Sequence, residues 1–205
     1  MKKLGIIGTG GFSLEVLDIA KELFRDSRKS IDELVYFIDN NKKKHLGLIV
    51  VKECDIEYSS SKFIVAISDP ETRFKVVNNL SRSAEYTNLV HPSSFISDSA
   101  KIGYGNIISH NSIVSSNVII NNHCHLNYHT AIGHESLIDD FFTASPGVKV
   151  SGKCSISKKV FMGTNSCIME RVKIIEGVKI GIGAVVLKNI TKKGTYLFNP
   201  AKRIF

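Results

Sequence analysis

An apolar residue stands at every sixth position from Ile96 to Val186, and this spacing constrains the fold more than any other feature of the chain. Sixteen consecutive positions fit the spacing. A helix repeats its apolar residues every 3.6 positions and a strand every second position, whereas a longer fixed period indicates stacked repeats. The spacing therefore predicts a β-solenoid with these guide residues inside it: Ile96, Ile102, Ile108, Val114, Ile120, Leu126, Ile132, Ile138, Ala144, Val150, Ile156, Met162, Ile168, Ile174, Ile180 and Val186.

Small or apolar residues usually stand two positions before each guide residue, where they would fill the corner of a triangular coil. This pattern explains Cys124 and Cys154 as core residues. Cys54 and Cys167 complete a set of four cysteines without metal-ligand spacing. We therefore expect free thiols and a cytoplasmic protein.

The N-terminal residues have the pattern of a phosphate-binding βα unit. The apolar strand 4–7 leads into the turn Gly8-Thr9-Gly10-Gly11-Phe12-Ser13, and an amphipathic helix follows. Glycines let a backbone approach a phosphate, and a helix N-terminus favours negative charge. Because Ser13 replaces the third glycine of the dinucleotide fingerprint, a tight turn without a ligand is the alternative.

Polar residues follow the later strands of this region. Asp39-Asn40 comes directly after the strand 34–38, and Ser68 follows the apolar run 63–67. Asp69 and Pro70 then predict the start of a helix that runs to about Leu80, and a last strand is expected over residues 86–90. A short run at 48–51 is read as a further strand. The crevice at the strand ends suits a mononucleotide or a nucleotide sugar, since the region is too short for two nucleotide-binding halves.

His91-Pro92 marks the expected domain boundary, because proline ends regular backbone pairing. We expect a small α/β domain over residues 1–91 and a solenoid over residues 92–205, with about five coils from 96 to 185. The first residues are read as a strand rather than a signal peptide. No apolar run reaches the roughly 20 residues of a membrane span, so no membrane insertion is expected.

The formal charge of +8 favours anionic partners. No nucleic-acid motif accompanies this charge, so nucleotide sugars and coenzyme A are better candidates than nucleic acid.

Four histidines, His123, His125, His129 and His134, crowd one part of the repeat. A metal cluster is one reading, but residues six apart lie on different faces of a three-sided coil, so no metal is expected. His134 precedes Glu135, and histidine next to a carboxylate suits general-base catalysis near neutral pH. The alternative is a solvated pair at a coil corner. Adjacent strand residues point to opposite faces, so a direct contact requires a turn there.

The whole chain resembles a known enzyme family in four places: the Gly-rich unit, His91-Pro92, the pair His134-Glu135, and 199–203 with the sequence Asn-Pro-Ala-Lys-Arg. Residues 93–205 resemble the left-handed parallel β-helix of hexapeptide-repeat acyltransferases. The complete chain resembles bacterial N-acetyltransferases of nucleotide-linked 4-amino-4,6-dideoxy sugars for surface glycans, and the related sialic acid O-acetyltransferases. The resemblance implies a Rossmann-like nucleotide-binding domain before the β-helix, and a homotrimer with active sites between subunits.

The resemblance also assigns roles to residues. It makes His134 the catalytic base and Glu135 the group that tunes it. The nucleotide-linked sugar is expected at Gly8, Gly10, Gly11, Phe12, Asp39, Asn40, Ser68 and Asn127. The acetyl-CoA co-substrate is expected at Thr143, Gly152, Gly163, Thr164, Gly181 and Ile182.

The chain departs from the family at three places. Family members often have His where Phe12 stands, Gly where Ser68 stands, and Gly where Phe198-Asn199 precede Pro200. The first two departures bear on sugar and nucleotide preference, and the third on the coenzyme end.

Three functions are compatible with the sequence. The first is an acetyl-CoA-dependent N-acetyltransferase that acts by direct attack, since no serine or cysteine nucleophile motif accompanies His134. The second is an O-acetyltransferase on a sialic acid or another sugar. The third is a non-catalytic solenoid that binds or assembles.

Overall fold

The computed structural model describes residues 2–41, 43–80 and 82–197. Its N-terminal part is a five-stranded sheet in the order β3-β4-β2-β1-β5 with helices packed against it. All neighbours are parallel except β3 and β4, which form a hairpin. The strands are β1 (Lys3–Ile7), β2 (Val35–Ile38), β3 (Lys44–His45), β4 (Leu48–Val51) and β5 (Ser61–Val65); the α-helices are α1 (Phe12–Leu23), α2 (Ile31–Leu34) and α3 (Pro70–Asn79), and 3₁₀ turns cover Glu53–Asp55 and Tyr58–Ser60.

Helix α3 begins where the sequence predicts. The Asp69 carboxylate accepts a hydrogen bond from the Thr72 amide at 2.9 Å, and Pro70 occupies the first turn, where its missing amide hydrogen is not needed. The helix ends at Asn79. This cap places the α3 N-terminus directly after the polar end of β5.

The strand expected over residues 86–90 is divided between the two parts of the molecule. Tyr86 makes an isolated bridge to Phe63, whereas Leu89 and Val90 pair with the solenoid. The cause is Asn88, whose side chain donates to the Gly103 carbonyl at 2.6 Å and accepts from the Asn106 amide at 2.8 Å. This side chain turns the backbone out of the N-terminal sheet.

Two-residue strands wind into a three-sided solenoid with parallel sheets. The domain face, which meets the N-terminal sheet and helices, contains β6 (Leu89–Val90), β9 (Ile107–Ile108), β12 (His125–Leu126), β15 (Thr143–Ala144), β18 (Phe161–Met162), β21 (Lys179–Ile180) and β23 (Thr195–Tyr196). The apolar face, named for its outward side chains, contains β7 (Phe95–Ile96), β10 (Ile113–Val114), β13 (Ala131–Ile132), β16 (Lys149–Val150), β19 (Cys167–Ile168) and β22 (Val185–Val186). The third face contains β8 (Lys101–Ile102), β11 (Ile119–Ile120), β14 (Leu137–Ile138), β17 (Ser155–Ile156) and β20 (Lys173–Ile174).

The guide residues form the solenoid core. Fourteen of them are buried, and Ile96 and Ile102 of the first coil are half-buried against the same cluster. Cys124 and Cys154 are buried, as the corner pattern predicts. The five coils counted from 96 to 185 continue at either end, because Leu89–Val90 and Thr195–Tyr196 also pair with coil strands.

Each coil turns its corners with residues in the left-handed backbone region. The third residue before every guide residue from Ile108 to Val186 has a φ between 53° and 75°. Glycine and asparagine tolerate this conformation, but several corners carry larger residues, including His123, Glu135 and Lys153. Because a residue in the left-handed region recurs every six positions, the coil turns a corner every six residues.

The N-terminal sheet and helices pack on the domain face. Ile107, His125 and Thr143 point outward from the coil yet are buried beneath them. Ile107 shares one apolar cluster with Leu4 and Leu17. None of the helices that the structure describes has the length and apolar character that crossing a bilayer requires.

Candidate active site

His134 and Glu135 are in direct contact at the corner between β13 and β14. The Nδ1 atom of His134 lies 3.0 Å from the Oε2 atom of Glu135. Both side chains are about half exposed, at 57% and 48%. The pair is therefore accessible from solvent and preset by a hydrogen bond.

The turn that this contact requires is supplied by Glu135 itself. Its φ is 58°, in the left-handed region, and its amide donates to the Ser116 carbonyl one coil earlier at 2.9 Å. The kink brings two adjacent side chains to one side of the chain, which a continuous strand forbids. The His134–Glu135 contact thus uses the same corner that repeats along the solenoid.

Gly152 makes room for the imidazole one coil further on. A Cβ atom there would lie 2.6 Å from His134 Nε2. Gly133 makes room for the backbone, because its Cβ would lie 2.6 Å from the Gly152 nitrogen. Two small residues therefore let the ring of His134 lie flat against the next coil.

Lys153 is a cation beside the same carboxylate. Its Nζ atom lies 3.5 Å from the same Glu135 oxygen that contacts His134. The hydrogen bond from His134, with support from Lys153, lowers the pKa of Glu135. Glu135 is therefore ionised at neutral pH, and an ionised carboxylate can accept a hydrogen bond from the Nδ1–H group of the imidazole.

The N-terminal crevice lies at the carboxyl ends of β1, β2 and β5, as the sequence predicts. Gly8 has a φ of 103°, and its amide donates to the Ile38 carbonyl at 3.1 Å. Thr9 donates to Asp39 at 2.6 Å, which links the Gly-rich turn to the end of β2. Gly10 and Gly11 have no atom within 4 Å of an added Cβ, so the turn is open on that side.

Ser13, which replaces the third glycine of the fingerprint, closes this turn. Its hydroxyl donates to the Gly10 carbonyl at 2.6 Å and lies 2.8 Å from His45 Nε2. The remaining predicted residues lie around the crevice: Asn40 accepts from the Glu53 amide at 3.2 Å, and the Ser68 carbonyl accepts from Arg73 and Thr143. The sequence did not single out Thr9, Arg73 or His45, which lie among these groups.

The positions expected to meet acetyl-CoA are distributed over two edges of the apolar face. Gly152 lies at the edge with His134, whereas Gly163, Thr164, Gly181 and Ile182 follow β18 and β21 at the opposite edge. Ile182 is 72% exposed. Asn127, expected near the sugar, also lies at that opposite edge. Within one chain, strand β13 therefore lies between Asn127 and His134.

Thr143 lies apart from the other positions expected to meet acetyl-CoA. Its side chain is buried on the domain face, where its hydroxyl donates to the Ser68 carbonyl and accepts from Arg73, both at 2.8 Å. A hydroxyl with these partners is not available to a ligand. We therefore place Thr143 with the framework of the N-terminal crevice. The predicted terminal residues 198–203 lie outside the described part of the chain.

Comparison with known proteins shows similarity along nearly the whole chain. Residues 3–80 match the family described as the PglD N-terminal domain. The chain is 29% identical over 178 residues to GDP-perosamine N-acetyltransferase of Escherichia coli O157:H7, covering 84% of this chain and 80% of that protein.

Solved structures extend the similarity to the complete architecture. The acetyltransferase domain of PglB from Neisseria gonorrhoeae FA1090 is 26% identical with a TM-score of 0.88, and each chain is covered completely. WeeI from Acinetobacter baumannii AYE is 26% identical with a TM-score of 0.88, covering 98% of this chain and 99% of that one. These matches confirm an α/β domain followed by a left-handed parallel β-helix.

The chain is similar over nearly its whole length to hexapeptide-repeat sugar acetyltransferases, and this similarity supports an acyltransferase. Its place among the acyltransferases removes the non-catalytic solenoid from the three functions compatible with the sequence. Within the chain, the structure joins His134 to Glu135 and places the predicted N-terminal residues at one edge of the N-terminal sheet. It does not join the two groups within one chain.

Proposed function

We propose that the protein transfers an acetyl group from acetyl-CoA to the amino group of a nucleotide-linked amino-deoxy sugar, of the 4-amino-4,6-dideoxyhexose type, for surface glycan biosynthesis. The observation that carries the proposal is the His134–Glu135 contact at 3.0 Å with the imidazole half exposed above Gly152. Acetyl transfer from a thioester to a sugar amine can proceed with a positioned base and without a covalent enzyme intermediate.

The geometry supports direct attack with His134 as the general base. An ionised Glu135 accepts a hydrogen bond from Nδ1–H, which favours the tautomer whose Nε2 has a lone pair for a substrate proton. As the amine nitrogen forms its bond to the thioester carbon, Nε2 takes a proton from that nitrogen. The C–S bond then breaks, and the proton passes to the departing thiolate to give free coenzyme A. Base assistance of this kind contributes ~10²–10⁴ in rate.

The relatives support the substrate class. The Escherichia coli relative is named for GDP-perosamine N-acetylation, and the Neisseria PglB domain has been solved in complex with acetyl coenzyme A. Both proposed substrates are polyanions, which suits a chain with a formal charge of +8. The crevice at Gly10, Gly11 and Asp39 is the proposed nucleotide site, and Asn127 is proposed to contact the sugar.

A homotrimer would complete the active site. Five of the six outward side chains of the apolar face are apolar, and Lys149 is the exception. The row runs Phe95, Ile113, Ala131, Lys149, Cys167 and Val185, of which Phe95, Ile113 and Val185 are 47–61% exposed. Contact between copies would cover this row. It would also bring the His134 edge of one chain against the Asn127 edge of its neighbour, which a single chain keeps apart.

An acceptor panel tests the proposed function. Purified protein is supplied with acetyl-CoA and UDP-, dTDP- and GDP-linked amino-deoxy sugars, and thiol release is measured together with product mass. We expect one nucleotide-linked amine to be acetylated, giving an amide that survives mild alkali. A base-labile ester formed only on hydroxyl acceptors would instead identify an O-acetyltransferase.

The His134→Ala variant tests the base. We expect kcat to fall ~10²–10⁴-fold, while the melting temperature stays unchanged because His134 is half exposed. Full activity in this variant would refute the proposed mechanism.

A further inference from the structure

Arg73 has the most extensive set of hydrogen bonds in the described part of the chain, and no step of the proposed reaction uses it. It lies on α3, one turn after the Asp69 cap, and its side chain is completely buried. Its guanidinium donates to five backbone carbonyls, to His125 Nδ1 at 3.1 Å and to Thr143 Oγ1 at 2.8 Å. The carbonyls belong to Ile67, Ser68, His123, Phe141 and Phe142.

Burying a cation without an ion-pair partner is costly in free energy unless hydrogen bonds replace its hydration. Among the ion pairs between described residues, none involves Arg73. Burial lowers the pKa of Arg73 to about 9, so it still carries its charge at neutral pH. Its hydrogen bonds replace the hydration that the guanidinium loses on burial. The positions of the groups that accept these hydrogen bonds therefore indicate what the side chain holds in place.

One set of partners is the rim of the proposed nucleotide crevice. Ile67 and Ser68 follow β5, and the guanidinium holds their carbonyls at 2.6 and 3.1 Å. The Thr143 hydroxyl of β15 donates to the same Ser68 carbonyl at 2.8 Å. Two donors, one of them on the solenoid, thus fix the end of β5.

Phe12, on the other side of the crevice, packs against a hydrogen-bond partner of Arg73. The ring of Phe12, at the end of the Gly-rich turn, lies 5.1 Å from the ring of His125. Burial, followed by the charge of Arg73, lowers the pKa of His125 well below its usual value. A neutral His125 can accept from Arg73 through Nδ1, so Phe12 packs against a ring that the guanidinium holds in place.

We propose that Arg73, His125 and Thr143 are positioning residues that fix the nucleotide crevice on the solenoid. The nucleotide half of the active site is then built by both parts of the chain, although only the N-terminal part contacts the nucleotide. This inference rests on the proposed function, because the crevice is the one assigned there to the nucleotide-linked sugar.

The Thr143→Val variant tests the proposal with little change in volume. It removes the donor to Ser68 and an acceptor of Arg73. We expect the KM for the nucleotide-linked sugar to rise roughly tenfold, as for one or two buried hydrogen bonds. The KM for acetyl-CoA should stay within twofold of the wild-type value. Thr143→Ser, which keeps the hydroxyl, should restore the wild-type KM for the sugar.

Thr130→Val is the matched control. Thr130 is equally buried in the solenoid, and its hydroxyl has no hydrogen-bond partner among the described residues. Valine already occupies the equivalent corner at Val118 and Val148. Both KM values should therefore stay at the wild-type level in this control.

Arg73→Lys gives a second measurement. A lysine keeps the charge but has three donors rather than the five of arginine, so the KM for the sugar should rise at least as much as in Thr143→Val. If Arg73→Lys does not fold, the threonine series decides alone. An unchanged sugar KM in Thr143→Val, or a parallel rise in both KM values, would overturn the proposal.

Direct binding separates this proposal from the proposed function. GDP, UDP and dTDP are titrated calorimetrically into the wild-type and Thr143→Val proteins. One outcome is that no acceptor is acetylated, but a nucleoside diphosphate binds the wild-type protein roughly tenfold more tightly than it binds the Thr143→Val protein. In that case the positioning role stands without the proposed reaction. Equal binding to both proteins would refute the positioning role even in an active acetyltransferase.

Discussion

A single glycine decides where the imidazole of His134 can lie. Gly152 has an ordinary backbone conformation, and an added Cβ would meet only the half-exposed His134 ring. We expect Gly152→Ala to move the ring aside and lower kcat/KM on the order of 10²-fold, as misplacement by about 1 Å does. The melting temperature should hardly change, because a flexible side chain yields.

Gly133→Ala is the informative comparison. Its Cβ would overlap the backbone of Gly152 and Ser151 at 2.6 Å, and backbone in a stacked coil cannot move aside. We expect this variant to lose about 1–3 kcal/mol of unfolding free energy, measured by urea denaturation. Equal stability of the two variants would contradict the packing described for this corner.

The sequence could predict some of these residues and not others for a physical reason. His134 and Glu135 are neighbours with recognisable chemistry, and only their contact depended on the left-handed turn at Glu135. Arg73 in an amphipathic helix has the pattern of a solvent-exposed residue. Its solenoid partners lie 50 to 70 positions later in the chain, so no local pattern reveals them. The assignment of Thr143 to acetyl-CoA comes from the family resemblance, which does not reveal the hydrogen bonds of its side chain to Ser68 and Arg73.

At the scale of elements, the six-residue period predicts the solenoid because each strand of a coil buries its own guide residue. The hairpin of β3 and β4 and the division of residues 86–90 were not predicted. A two-residue strand has no periodicity to detect, and the direction of the chain after Tyr86 depends on the hydrogen bonds of one asparagine side chain. Long repeats can be read from sequence, whereas short connections depend on tertiary contacts.

The corner residue His123 should make stability depend on pH. It is buried among aromatic rings, and burial, followed by the charge of Arg73, lowers its pKa from 6.5 to about 4. The unfolded chain takes up a proton below pH 6.5 that the folded chain takes up only near pH 4. The unfolding free energy should therefore fall by ~3 kcal/mol as pH decreases across this range.

His123→Asn tests this contribution, because asparagine already occupies the same left-handed corner position at Asn111, Asn117 and Asn165. Urea denaturation at pH 7 and pH 5 should show a smaller difference in the variant than in the wild-type protein. Some difference should remain, because His125 is also buried and neutral. An unchanged pH dependence would show that His123 does not titrate as described.

At the scale of the whole molecule, the proposed trimer depends on the apolar face. Ile113 is the second residue of the exposed row, paired with Phe95 and Ala131 in neighbouring strands. We expect Ile113→Glu to convert a trimer into a folded monomer, because an interface that buries a carboxylate is unfavourable. Sedimentation should show the change in mass, and activity should fall because the two edges of the site separate.

Ile119→Glu on the third face is the control, since Ile119 is outward and 41% exposed but does not lie in the proposed interface. It should keep the wild-type mass. A monomeric wild-type protein with full activity would refute the intersubunit site.

The long sequence separation between Arg73 and its partners has a consequence for synthesis. The N-terminal part of the chain leaves the ribosome first, and domains generally fold in that order. The guanidinium cannot be fully satisfied until Thr143 has emerged 70 residues later and the coils have wound as far as β15. Until then water must solvate the cation, and the Ser68 carbonyl lacks its fixed partners. The crevice therefore reaches its final form only after the first coils have wound. Its lining residues that precede Asn127 are nevertheless synthesised early.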